Sequence, residues 1–230
     1  MSKEAPRHRL VTEILRKAGG IDVESILPRV PKKRRADIFF KDHEIIVEVK
    51  EITNDRLSDP KVLQSLNDLI TIDGPSMGGP VIFGTVRLRA DTLPNALARK
   101  YFQRVGKRVQ KEVSEANGQI RDTKEALGLP DARGLLVLIS RPMKMNLRVM
   151  GWAVHDELTK NQHPHINGLM MAECETETAI ETGNSYISFH SRELNGLPDQ
   201  LKVQIANAWG EVTSQRLAVA TEADFDRRYP

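Results

Sequence analysis

The sequence predicts a single α/β domain over residues 1–230, with a mixed central β-sheet flanked by helices. Three observations lead to this expectation. Amphipathic helical stretches alternate with short strand-like runs along the whole chain. One run, LLVLIS at residues 135–140, is apolar almost throughout, as suits a strand covered on both faces. No internal repeat, low-complexity tract or obvious linker divides the chain. With 40% hydrophobic and 28% charged residues, the composition is that of an ordinary globular protein able to bury a substantial core.

The elements follow in order. Pro6 suits a first helical turn, and Leu10, Val11, Ile14, Leu15 and Ala18 recur on one face before Gly19 and Gly20 stop the helix. A strand-like segment at Val23 to Leu27 comes next, then the basic run PKKRR at residues 31–35. Two β-like runs between Ala36 and Lys50 are joined at Asp42 and His43, a pair able to turn although it lacks the glycine that tight hairpins prefer. Helical spacing spans Asn54 to Ile70, with Pro60 delaying the start. The glycine-rich stretch from Asp73 to Pro80 lacks the Lys-Ser/Thr ending of a phosphate cradle and reads as a turn.

A strand is expected at Val81 to Leu88, with Arg87 and Arg89 sharing a face at its end. The longest helix runs from Pro94 to about Leu127, with Phe102, Val105, Val109, Val113, Ala116 and Ile120 on one stripe. Lys100, Arg104, Lys107 and Lys111 lie on the opposite side. Beyond the LLVLIS strand come a helix at 147–158, strands at 166–173 and 185–189, and a last long helix around 201–212. Thr221 and Asp224 have the spacing of a cap for a short terminal turn.

Charge narrows the function classes. Thirty-four Lys and Arg stand against 31 Asp and Glu, a net +3, but residues 1–35 hold ten basic side chains and only four acidic ones. Such clustering suits a polyanionic partner. The single cysteine, Cys174, excludes an internal disulfide and a cysteine-cluster zinc site. No run reaches the roughly 18–20 apolar residues of a membrane helix, and MSKEAPRHRL lacks the apolar middle of a secretion signal. The expectation is a cytoplasmic protein with no membrane partner.

The hairpin carries the chemistry. Alternation puts Glu44, Ile46, Glu48 and Lys50 on one side of a strand and Ile45, Val47 and Val49 on the other. Closing at Asp42 and His43 pairs Phe40 with Ile45, Phe39 with Ile46 and Ile38 with Val47, so that Asp37 falls opposite Glu48. Two facing carboxylates repel, and more so as they are buried. A cation between them resolves the conflict. Mg²⁺, a hard ion that takes oxygen ligands and needs only one or two protein carboxylates, is the expected occupant, with Mn²⁺ as its substitute. Lys50, on the same face, is placed to steady or deprotonate a water, or to balance charge developing on phosphorus. Taken alone, Glu-x-Lys on a strand is an ordinary surface pattern; its weight comes from Asp37 and the basic run beside it.

The helix RLVTEILRKAGG, then Ala36-Asp37, then IIVEVK ending at Lys50, resembles the PD-(D/E)xK nuclease superfamily. The resemblance extends more loosely through the helix before Gly134 and the strand LLVLIS, covering about 140 of the 230 residues. It implies a restriction-endonuclease-like core at about residues 6–145, an insertion at about 52–92 and a C-terminal elaboration of extra strands and a helix at about 146–230. It further implies metal ligation by Asp37, Glu48 and the main-chain carbonyl of Val49, with Lys50 assisting the attacking water. Ala36 replaces the Pro of the family name, and Glu51 follows the Lys where a small residue is more usual. Some members add a Glu from the first helix. Glu4 and Glu13 are the candidates, but Glu13 lies off the apolar stripe within reach of Arg9 and Lys17, and Glu4 precedes Pro6.

Lys32, Lys33, Arg34 and Arg35 lead into the hairpin and are expected to hold a phosphate backbone near Asp37, with Arg87, Arg89, Lys107 and Lys111 extending the track. The other candidates are weaker. His163-Pro-His165 reads as a loop, no Gly-x-Ser-x-Gly elbow is present, and Met170 and Met171 suit a core. The function expected is therefore a Mg²⁺-dependent nuclease acting on DNA, for which the resemblance admits a homodimer. The alternative is a nucleic-acid-binding or protein-interaction module that keeps the fold without chemistry, and a metal-dependent phosphatase or nucleotide hydrolase is a third reading.

Overall fold

The structure is a computed structural model, and it describes residues 6–28, 34–52, 59–73, 95–140, 147–160, 162–173, 186–191 and 197–214. Helix α1 spans Pro6–Lys17 and buries Val11, Ile14, Leu15 and Ala18. It ends as its two glycines dictate. Gly19 takes φ +99°, and the Gly19 and Gly20 N–H groups donate back to the Arg16 and Leu15 carbonyls, each at 2.9 Å. Only a residue without Cβ enters that region cheaply, so the helix stops there in a Schellman arrangement.

Strand β1 is only Ile21–Asp22, and residues 23–26 form a short helix, α2 (Val23–Ile26), where a strand was expected. The reason is the lack of a ladder partner. Asp22 faces Ile38, the first residue of β2 (Ile38–Phe40), so beyond one bond from the Val23 N–H to the Asp37 carbonyl the next residues have no strand to pair with, and only Val23 of the four is buried. The hairpin register holds as predicted: Ile38 faces Val47, Phe39 faces Ile46 and Phe40 faces Ile45 of β3 (Ile45–Ile52). Its tip differs in detail. Lys41–His43 form a 3₁₀ turn and Glu44 takes the left-handed conformation at φ 50°, a longer connection than the two-residue loop that needs glycine.

Helix α3 (Pro60–Asp73) starts at Pro60, and α4 (Asn95–Leu127) crosses back before β4 (Arg133–Ser140). Helix α5 (Leu147–Leu158), β5 (Gly168–Glu173), β6 (Tyr186–Ser191) and α6 (Asp199–Thr213) complete the fold. The six strands lie in the order β1-β2-β3-β4-β5-β6. β1, β2 and β3 form an antiparallel meander, β3, β4 and β5 run parallel, and β6 returns antiparallel. The apolar strand is thus central, with Leu135 to Ile139 wholly buried.

Two cores sandwich this sheet. On one face Phe39, Ile46, Leu136, Leu138 and Met171 meet Val105, Val109, Val113, Ala116 and Ile120 of α4 and Met150 and Val154 of α5. On the other, Ile38, Ile45, Val47, Val49, Val137 and Met170 meet Val11, Ile14 and Leu15 of α1 and Leu201, Ile205 and Trp209 of α6. Glu48 and Lys50, on the same side of β3 as Ile46, therefore face α4. Lys100, Arg104, Lys107 and Lys111 are exposed, as expected of the far side of that helix. Among the described residues no helix is long and apolar enough to cross a membrane. The expected strand at 81–88 with Arg87 and Arg89, the glycine-rich turn at 73–80 beyond Asp73, Lys32, Lys33, Glu4, Cys174 and the Thr221–Asp224 cap lie outside the described residues.

Candidate active site

The ladder breaks its own rhythm at Asp37. Ile38 faces Val47, yet the Asp37 N–H also donates to the Val47 carbonyl at 3.0 Å, while the Asp37 carbonyl accepts from Val23 N–H at 2.9 Å. Asp37 thus stands just before the first residue of β2, where the ladder with β3 ends. Asp37 does not continue the simple register to stand square opposite Glu48; its Oδ2 reaches the edge of β3 and accepts the Val49 N–H at 2.8 Å.

That contact closes the end of the ladder. Val47 and Val49 turn their backbone groups toward β2, but β2 begins only at Ile38, so Val49 lies past its end. The Asp37 carboxylate takes over the donor that the missing strand residue would have matched. The Val49 carbonyl points to the same open edge, because N–H and C=O of one strand residue share a side.

Glu48 and Lys50 share a face, and Lys50 Nζ donates to Glu48 Oε1 at 2.7 Å. Glu48 is only 2% exposed, and its second oxygen, Oε2, has no hydrogen-bond partner. Burial foremost, and then the charge of Asp37, push the Glu48 carboxyl well above the usual range; Lys50 and, more weakly, His8 pull it back only in part. The carboxylate pair is therefore under-neutralised. An orphaned buried oxygen beside a second carboxylate fits a hard divalent cation, with Asp37 and Glu48 as its holders and the Val49 carbonyl at the same edge.

Helix α4 supplies parts that sequence reasoning missed. Gln119 Oε1 accepts from Lys50 Nζ at 2.6 Å, and Gln119 Nε2 donates to the Arg35 carbonyl at 3.0 Å. One turn on, the buried Thr123 hydroxyl donates to the Gln119 carbonyl and accepts the Ala36 N–H at 2.9 Å. These two side chains tie the chain before Asp37 to the amine of Lys50. A signal was available: Thr123 continues the apolar stripe of Ala116 and Ile120, where a polar side chain needs a buried partner.

Helix α1 contributes as well. His8 Nε2 lies 3.5 Å from Asp37 Oδ2, and Arg7 pairs with Glu51 at 3.4 Å. His8 falls on the stripe of Val11 and Leu15, a polar residue at an apolar position. Glu13, the expected helix candidate, is exposed.

Of the expected phosphate contacts, Arg34 pairs with Glu115 at 3.0 Å and Lys111 pairs with the same carboxylate at 3.6 Å, with Lys107 exposed one turn further along α4. Arg35 is half-buried, its Nη1 without a hydrogen-bond partner. His163 is buried against Glu157 at 3.0 Å. Among the described residues no group of three or more His, Cys, Asp or Glu side chains is gathered as a metal cage. The chain matches no protein-family model, no curated protein and no solved structure.

Proposed function

We propose that this protein is a divalent-metal-dependent nuclease that hydrolyses phosphodiester bonds in DNA, built on a restriction-endonuclease-like core. The observation that carries the reading is the buried Glu48 carboxylate, with one oxygen held by Lys50 and the other without a partner, beside the Asp37 carboxylate at the open edge of β3. A fold seeking stability alone gains nothing from a desolvated, half-satisfied acid there. The order of α1, an antiparallel hairpin, a long crossover helix and a parallel apolar strand also follows the order in which the superfamily resemblance runs.

Asp37 and Glu48 would hold the cation, which when bound would supply Lewis-acid stabilisation of the phosphate and a more acidic water. Lys50, oriented by Gln119, holds an attacking water by its ammonium group or neutralises charge on the phosphate oxygens. Arg34, Arg35, Lys107 and Lys111 engage the backbone without reading bases.

The test is a substrate panel of linear, circular, single-stranded and branched DNA together with RNA and free nucleotides, with and without Mg²⁺ or Mn²⁺. Metal-dependent cleavage of a DNA polymer that disappears in Asp37→Ala and Lys50→Ala, with circular dichroism unchanged, is the expected result. Salt-sensitive binding without cleavage on every substrate would mark a non-catalytic binding module instead, and a preference for free nucleotides would mark a phosphohydrolase.

A further inference from the structure

Phe102 departs from the rest of the α4 stripe. Val105, Val109 and Val113 are wholly buried, whereas Phe102 is only half-buried. It stacks on the half-buried Trp152 of α5, ring centroids 4.7 Å apart and planes 29° from parallel, and Tyr101 stands across it at 5.5 Å and 80°. These rings lie at the end of the sheet that carries the candidate site. As the crossover between parallel β3 and β4, α4 runs back against both, and its 33 residues reach about 50 Å against about 26 Å for the eight of β4. Its first half therefore overhangs the carboxyl ends of the parallel strands, where open α/β sheets take their ligands. Lys50, level with Leu138 near the end of β4, is at that edge too. Gln119 touches Lys50, and Phe102 lies seventeen residues, about 26 Å, further toward the overhang.

Charge points to the occupant. Arg99, three residues before Phe102 and so beside it on the helix, is 66% exposed, and Lys100 is exposed as well. Asp156, which Arg99 approaches at 3.7 Å, is 9% exposed and already meets Lys160 at 3.1 Å. Flat rings rimmed by exposed cations suit nucleobases joined by phosphates. Resting on the nuclease reading above, we propose that Phe102 and Trp152 form a stacking platform for the bases of single-stranded DNA, so that the substrate is DNA carrying an unpaired stretch several nucleotides long beside the point of cleavage. A duplex keeps its bases in its own stack and offers the rings only its backbone. The platform is indifferent to sequence, because every base has a π-face.

The experiment uses the full chain in EDTA, so that binding is read without cleavage, and an oligothymidylate of about twelve nucleotides, inside the roughly 4–16 that single-strand grooves hold. Wild type is expected to bind it with quenching of Trp152 fluorescence, Trp209 being wholly buried, and to bind an abasic strand of equal length more weakly. Phe102→Leu and Trp152→Leu should each weaken thymidylate binding about 5- to 140-fold, the range of one lost base stack, with the abasic strand and a blunt duplex unchanged. Phe102→Tyr and Trp152→Phe, which keep a ring, should bind nearly as wild type does. Equal affinity of wild type for the thymidylate and the abasic strand, absence of quenching, or Leu variants that bind like wild type would each overturn the platform, while metal-dependent cleavage lost in Asp37→Ala would leave the nuclease reading standing. Tighter binding of a uridylate of the same length would overturn the assignment to DNA. A wild type that neither binds nor cleaves any nucleic acid sinks both readings together.

Discussion

Glu48 sits where an apolar residue would serve the fold better, and its cost has a definite sign. Because burial and the neighbouring Asp37 raise its folded-state pKa, the folded chain holds the Glu48 proton more tightly than the unfolded chain does. Its contribution to stability is intact below the ordinary glutamate value, about 4.3, and is lost as pH rises through the raised one. In EDTA, the urea midpoint of the wild type should therefore fall as pH climbs across that window, and Glu48→Gln should flatten the fall and raise the midpoint at pH 7. A lower midpoint for Glu48→Gln at pH 7 would mean that the Lys50 pair outweighs desolvation. Mn²⁺ should stabilise wild type and not Glu48→Gln, since only a ligand that binds the folded state shifts the equilibrium. The meeting of Glu48 with Lys50 was legible in the sequence because strand alternation is a local rule, whereas the hairpin register brought Asp37 near them but not square opposite Glu48. Gln119 and His8 were not: Gln119 lies 69 residues from the lysine it holds, and no periodicity encodes such a meeting.

At the scale of elements, α4 governs the site. Its apolar stripe fixes the helix on the sheet, and Gln119 beside that stripe and Thr123 on it hold Lys50 and the entry to Asp37. Gln119→Ala should leave nucleic-acid affinity near wild type while lowering kcat about 100-fold, the cost of displacing a catalytic group by about 1 Å. An unchanged kcat would show that Lys50 is held by Glu48 alone. The same helix meets α5 where a Cβ built on Gly106 would stand 2.6 Å from Ala153 Cβ. Gly106→Leu should cost about 1–3 kcal/mol by overpacking, read as a lower urea midpoint. The long helix was legible because thirty-three residues keep one stripe. The segment at Val23 to Leu27 was not, because a strand exists only where a neighbour offers a ladder, and β2 starts too late to offer one. The end of the ladder at Asp37 was equally hidden, since nothing local announces that its carboxylate will take the Val49 N–H.

For the whole molecule, the sheet and helices turn a nearly balanced charge into a local one. Arg34 joins Lys111 through Glu115, and Lys107 extends the exposed side of α4 beyond them. If this ridge tracks a duplex, Lys107→Gln and Lys111→Gln should each weaken DNA binding for all sequences alike and reduce the slope of log affinity against log salt by about 0.9; slopes equal to wild type would remove these residues from the interface. The α/β class and most elements were legible from periodicity, whereas the strand order and the crossover that makes β4 parallel to β3 are properties of the assembled sheet. The measurement that bears most directly on the central claim is anomalous scattering from crystals soaked in Mn²⁺. The account predicts a peak at the β3 edge, bound by Asp37 and Glu48 with Lys50 beside it, and absent in Asp37→Ala; crystals with Mn²⁺ elsewhere on the chain and none between those carboxylates would contradict it.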